Sequence, residues 1–416
     1  MRRMQSWTIR GAALSGALLL STGFDAVEPA IETRPAEDSV LVRLVEGAGR
    51  LIRDSKWGMI GSLQGAINAW AGECGVEPVT RDGLFGRATA AAARAVALCR
   101  GLQGVGDMAG AALTANVWQA VTGAAPPNPL QRARLLTHTM EGLDYDRLDW
   151  NICSNRVMDR DSVLTWGPYG KTLGWGGELL KVLHRLDRAY VLRAFEEAGA
   201  AGGAALLDLK TREQLGAQSP HLYPGARALM ERLCQEPGQK DAWRAAFALL
   251  GADPLVQRAY EDVAWGEESW FRYVVERLSR SWREAGLEPS EVDYAFFSDR
   301  AVHMGWGGAR FAAVDLALAE AKARAPGGVL SNAMARLAVS AGVTPKARPE
   351  DRAARDAIFL IDFVEELGPA MAAASGWPQN WRELWERRAG VSAADLGLSD
   401  ARPAPGFDDA LRPPKT

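Results

Sequence analysis

The sequence predicts a mainly α protein, with a small three-helix module at its start and a larger helical domain that carries one short β-hairpin. Three observations lead there. Apolar residues recur at spacings of three and four through most of the chain from Leu51 to Gly397, glycines crowd the stretch from Gly167 to Gly177, and prolines gather at 125–129 and in the final sixteen residues. The first pattern marks amphipathic helices, the second tight turns and short strands, and the third breaks between parts of the chain.

The first 26 residues place Arg2, Arg3 and Arg10 ahead of the apolar run GAALSGALLL at 11–20, with small and polar residues after it. This is the layout of a secretory signal peptide, and the run is too short to span a bilayer comfortably. Cleavage is expected between Ser21 and Ala30, giving a secreted or periplasmic chain, with an uncleaved N-terminal anchor as the alternative. Four cysteines suit an oxidising compartment, and Cys74 with Cys99 and Cys153 with Cys234 is one of three possible connectivities. No Cys or His cluster has metal-ligand spacing, so neither a metal nor a cofactor is expected. A formal net charge of −3 argues against nucleic acid as a partner. The 48% of apolar residues in 416 supply cores for at least two domains, and 15 tryptophans suit either sugar stacking or an aromatic core. The chain is expected to be a monomer without stable membrane insertion.

Taken in order, the first helical pattern puts Ile60, Leu63, Gln64, Ile67 and Trp70 on one face, and the turn TRDGLFGRAT, the run ATAAAARAVALC and the segment LTANVWQAV follow. Asp82 and Gly83 make a turn, Phe85 plugs the core between helices, Gly86 permits a tight approach and Thr89 supports the next helix. These residues resemble the three-helix peptidoglycan-binding module of bacterial wall-active enzymes, which implies a module over 45–124 that contacts cell wall. The family's usual ending of the second helix is replaced here by Cys99 and Arg100. Clustered prolines in APPNP at 125–129 favour an extended linker.

Beyond the linker, Leu130, Arg134, Leu135, His138 and Glu141 are spaced by three or four, so Glu141 is expected on the last turn of a helix that Gly142 ends. An acidic segment follows, with Asp144, Asp146, Asp149, Asp159 and Asp161, then the glycine-aromatic stretch TWGPYGKTLGWGG. Trp166, Tyr169 and Trp175 are candidate platforms for sugar rings, with packing of the hairpin as the alternative. Lys171 could meet peptide carboxylates or simply lie exposed. Helical patterns then run through 177–199, 254–286, 290–305 and 355–368, and the proline-rich tail from 399 to 416 is expected to be disordered.

A helix-terminal glutamate, an acid twenty residues on and a glycine-rich hairpin resemble the lysozyme-like superfamily, and within it the chitosanases of glycoside hydrolase family 46. The likeness runs from Leu136 to Leu183 and, more weakly, from Pro254 to Gly308. It implies a two-lobed lysozyme-like α+β catalytic domain over 130–398 with a short β-hairpin wall. It also implies Glu141 as general acid, Asp161 as base and Glu178 as a substrate-binding acid, with Thr165, one place out of register, approximating the residue that positions water. Asp159, which shares the triplet DRD with Asp161, is the rival base and a candidate for substrate binding. Val163 stands where the family has an arginine, and Glu141 and Asp161 are two residues further apart than in the family. Such chemistry needs one carboxyl kept protonated by burial and one ionised, with their separation setting whether the anomeric centre inverts. The expectation is a secreted glycoside hydrolase that cuts β-1,4 bonds of an amino-sugar polymer, peptidoglycan before chitosan. A lytic transglycosylase using Glu141 alone and a non-catalytic wall-binding protein are the alternatives.

Overall fold

The structure is a computed structural model and describes residues 40–44, 52–103, 112–141, 144–153, 161–174, 177–210, 224–303, 308–343, 355–366, 379–388, 390–404 and 406. The signal-peptide segment lies outside them. The module begins with strand β1 (Val40–Arg43) and strand β2 (Ile52–Arg53), then helix α1 (Met59–Cys74), strand β3 (Leu84–Phe85), helix α2 (Arg87–Cys99), strand β4 (Ala112–Thr114) and helix α3 (Ala115–Thr122). The three expected helices are present, packed on one another around Ile60, Leu63, Ile67, Phe85, Val96 and Trp118, all buried. Two small antiparallel ribbons brace them, β1 with β4 and β2 with β3. A disulfide between Cys74 and Cys99 joins the ends of α1 and α2.

The remainder is mainly helical. Helix α4 (Pro129–Glu141) leads into strand β5 (Leu148–Asp149), a 3-10 turn (Asn151–Cys153), strand β6 (Thr165–Trp166) and strand β7 (Lys171–Thr172). Asn128 starts α4 in a reciprocal cap: its side chain accepts from the Gln131 amide at 3.0 Å, and Gln131 accepts from the Asn128 amide at 2.9 Å. The strands form one antiparallel sheet in the order β5-β6-β7, with Asp149, Thr165 and Thr172 in register. Then come α5 (Glu178–His184), α6 (Arg188–Glu197), α7 (Gly203–Leu207), α8 (Pro224–Gln235), α9 (Gln239–Gly251), α10 (Pro254–Trp265), α11 (Trp270–Glu284), α12 (Glu291–His303), α13 (Gly308–Arg324), α14 (Asn332–Val343) and α15 (Trp381–Arg388). Cys153, after β5, is bonded to Cys234 on α8.

Helix α12 is the buried axis of the second half and packs along α4 and α11. A helix buried this completely needs partners for its charges. Asp293 pairs with Arg336 at 2.7 Å, Asp299 with Arg355 at 2.5 Å, Arg300 with Asp356, and Glu291 with Arg402 at 2.5 Å.

The described residues from Val40 onward belong to one compact unit, in which 125–129 joins the module to the helices that follow. Trp118 fixes that junction by donating its indole N–H to the Ala125 carbonyl at 3.0 Å. The tail is ordered at its start: Asp400 takes a two-pronged bond from Arg336 at 2.8 and 2.6 Å, and Ser290 bridges Pro403. Charge pairing and a strand-like bridge hold what the proline content alone made look loose. Residues 407–416 lie outside the description.

Candidate active site

The site is assembled where the end of α4, the β5-β6-β7 sheet and helix α10 meet. Helix α4 ends at Glu141, as its spacing predicts, and the side chain of Glu141 lies outside the described residues, as do Gly142, Asp159 and Trp175. One turn before Glu141, His138 is buried and its Nδ1 lies 2.9 Å from an Asp54 carboxylate oxygen. Asp54 also accepts from the amides of Ser55 at 2.8 Å and Ile60 at 2.9 Å, so it holds the entry to α1 and the end of α4 together.

The module therefore reaches the acidic loop directly. Ser55 donates to Asp144 at 2.7 Å, the Lys56 amide donates to the other oxygen of Asp144 at 3.0 Å, and the Lys56 ammonium pairs with Asp146. Burial raises the Asp144 carboxyl above its ordinary range, and the bonds from Ser55, Lys56 and Tyr145 oppose that. The Arg53 amide adds a bond to Thr139 at 3.1 Å.

Asp161 opens the turn that leads to β6. Backbone bonds from Gly174 to Ser162 at 2.9 Å, Leu173 to Leu164 at 3.0 Å and Ile152 to Val163 at 2.9 Å lock this turn. The approach is so close that a Cβ on Gly174 would sit 1.9 Å from the Asp161 carbonyl oxygen. Val163 has φ 61°, the left-handed region that a β-branched residue strongly avoids, and it is fully buried. Packing thus holds a strained backbone two residues after the acid. Asp161 itself is half-buried, and its carboxylate has no hydrogen bond or ion pair with any described residue.

Of the side chains that the sequence left open to solvent, Trp166, Tyr169 and Lys171 are buried. Trp166 is wholly buried, donating its indole N–H to the Tyr145 carbonyl at 2.6 Å and meeting Phe247 and Tyr260 edge-on. Tyr169 is 3% exposed and enclosed by His138, Tyr260, Trp265 and Phe271, and burial pushes its hydroxyl well above the ordinary value. Neither can stack on a sugar; both pack the hairpin onto α10. Lys171 is also buried, with its ammonium 3.5 Å from the Phe271 ring centroid. Burial lowers its pKa to about 8, against the pull of Glu178 and Glu261. Thr165 is half-buried in β6, and its hydroxyl accepts from Asn151.

No protein-family model, no curated protein and no solved structure matches the chain.

Glu178 begins α5, where the helix N-terminus favours its charge, and it is half-buried. Glu261 is a further acid of this region that sequence reasoning missed. It accepts from the Tyr145 hydroxyl and from Arg134 at 3.0 Å, and the Arg134 guanidinium lies 4.7 Å from the Trp265 ring centroid. Among the described residues no group of His, Cys, Asp and Glu could hold a metal ion, and no helix is long and apolar enough to cross a membrane.

Proposed function

We propose that this protein is a secreted glycoside hydrolase that cleaves β-1,4 bonds of an amino-sugar polymer, peptidoglycan first among them, by general acid and base catalysis. The observation that carries the reading is the half-buried Asp161, rigidly mounted beside the sheet that follows the Glu141 helix and without a protein partner among the described residues. A carboxylate held in place and left unneutralised is what activation of a water molecule needs. Glu141, at the end of a helix anchored against α12 and Asp54, serves as the acid that protonates the leaving oxygen. Two disulfides support an oxidising compartment, and the module beside the acidic loop supports a role in holding a wall polymer near the site.

The test is product analysis by mass spectrometry after incubating the mature chain with purified peptidoglycan and, separately, with chitosan. Reducing-end fragments released by the native protein and not by Glu141→Gln support the hydrolase and name its polymer. Anhydro ends would transfer the protein to the transglycosylases, and retention of polymer without any cleavage would make it a binding protein.

A further inference from the structure

A cavity lies apart from the acid pair, lined from α6 and α10. The junction of α5 and α6 and the first half of α10 enclose an open cavity of about 630 Å³. That volume is within the range of about 300 to 1,000 Å³ typical of sites for small molecules. Arg185, Arg193 and Arg258 line it together with Asp187 and Asp262, and Tyr190, Leu186, Leu255 and Ala259 supply its apolar surface.

The acids around this cavity are already engaged. Asp187 caps α6 by accepting from the Tyr190 amide at 2.8 Å, and Asp262 faces Arg185 at 3.9 Å. Nearby Asp253 caps α10 through the Leu255 amide at 2.8 Å and accepts the Tyr190 hydroxyl at 2.5 Å. The arginines are not matched in the same way. Arg193 and Arg258 are exposed and have no carboxylate partner among the described residues; Arg193 only rests 5.9 Å from the Tyr190 ring centroid. Because Tyr190's hydroxyl is tied to Asp253, its ring is fixed as a wall, and Leu255 beside it is 65% exposed. Two unmatched guanidiniums over an apolar wall fit a ligand with an anionic end and a carbon skeleton.

We propose that this groove binds an oxyanion, a carboxylate or a phosphate, carried on a skeleton of sugar size, with Arg193 and Arg258 gripping the anion and Tyr190 and Leu255 supporting the skeleton. The assignment stands apart from the hydrolase reading, since none of these residues belongs to the acid pair.

Isothermal titration of the full mature chain with N-acetylmuramic acid, N-acetylglucosamine 6-phosphate and N-acetylglucosamine tests it on one skeleton with a carboxylate, a phosphate or no charge. One or both acidic sugars are expected to bind and the neutral sugar is not, and the member that binds identifies the source of the oxyanion. In the Arg193→Gln/Arg258→Gln variant the affinity is expected to fall by roughly tenfold or more. Both side chains are exposed, so an unchanged melting temperature will show that the variant is folded. Binding of none of the three sugars, or equal binding of all three by both proteins, would overturn the proposal.

Discussion

Two turns in this molecule open with aspartate and lean on glycine, yet they use the acid in opposite ways. In the module, Asp82 accepts from Gln64 at 2.8 Å and from the Leu84 amide at 2.9 Å, while Gln64 in return accepts from the Gly83 amide at 2.9 Å. Gly83 has φ 72°, and a Cβ there would lie 2.4 Å from the Asp54 carbonyl oxygen. All of that chemistry is internal, and it builds a scaffold. At Asp161 the backbone alone makes the turn, through Gly174 and a strained Val163, and the carboxylate is left over. A turn whose acid is not needed to hold the turn can offer that acid to something else. The difference separates a folding motif from a candidate for catalysis more sharply than residue type does.

The largest effect is expected from Glu141→Gln, which should lower turnover on the cleaved polymer by about 10²- to 10⁴-fold, measured at saturating substrate, with polymer affinity retained. Next come the two glycines. Gly83→Ala and Gly174→Ala should each destabilise the fold by roughly 2 kcal/mol or more, because both drive a methyl group into a backbone carbonyl. Urea denaturation checks this, and tolerance of alanine at either position would remove the close-approach argument there.

Lys171 gives a smaller effect with a defined sign. Its folded pKa of about 8 lies below the ordinary 10.5, so the folded state releases the proton first. Its contribution to stability is therefore lowest below about pH 8 and rises as the pH climbs from about 8 to 10.5. Lys171→Met should flatten that rise and add on the order of 1 to 3 kcal/mol at neutral pH, read from denaturation curves across this window. The smallest expected change is that of Asp82→Ala, about 1 to 2 kcal/mol of stability with turnover per folded molecule unchanged.

Much of the fold was legible in the sequence because it is written in local patterns. The three module helices, the turn at Asp82 and Gly83, and the helix that ends at Glu141 follow from spacing and turn chemistry within a few residues of each feature. Long-range packing was not legible. Trp166 and Tyr169 sit in a glycine-rich hairpin whose sequence left sugar stacking and packing both open, and the arrival of Tyr260, Trp265 and Phe271 from α10 and α11 buries them. Lys171 follows them inward for the same reason. Glu261 was hidden because its partners, Arg134 and Tyr145, are more than a hundred residues away. The bond of Asp54 to His138 spans 84 residues, so the contact between the module and α4 was equally hidden from local patterns.

The most direct test is the rate of reducing-end release from purified peptidoglycan by Asp161→Asn beside Asp82→Asn, each normalised to its folded fraction. Asp161→Asn is expected to lose about 10²- to 10⁴-fold in turnover with an unchanged melting temperature, and Asp82→Asn to keep its turnover while melting earlier. Full turnover by Asp161→Asn would rule out Asp161 as the base and leave Glu141 to act alone.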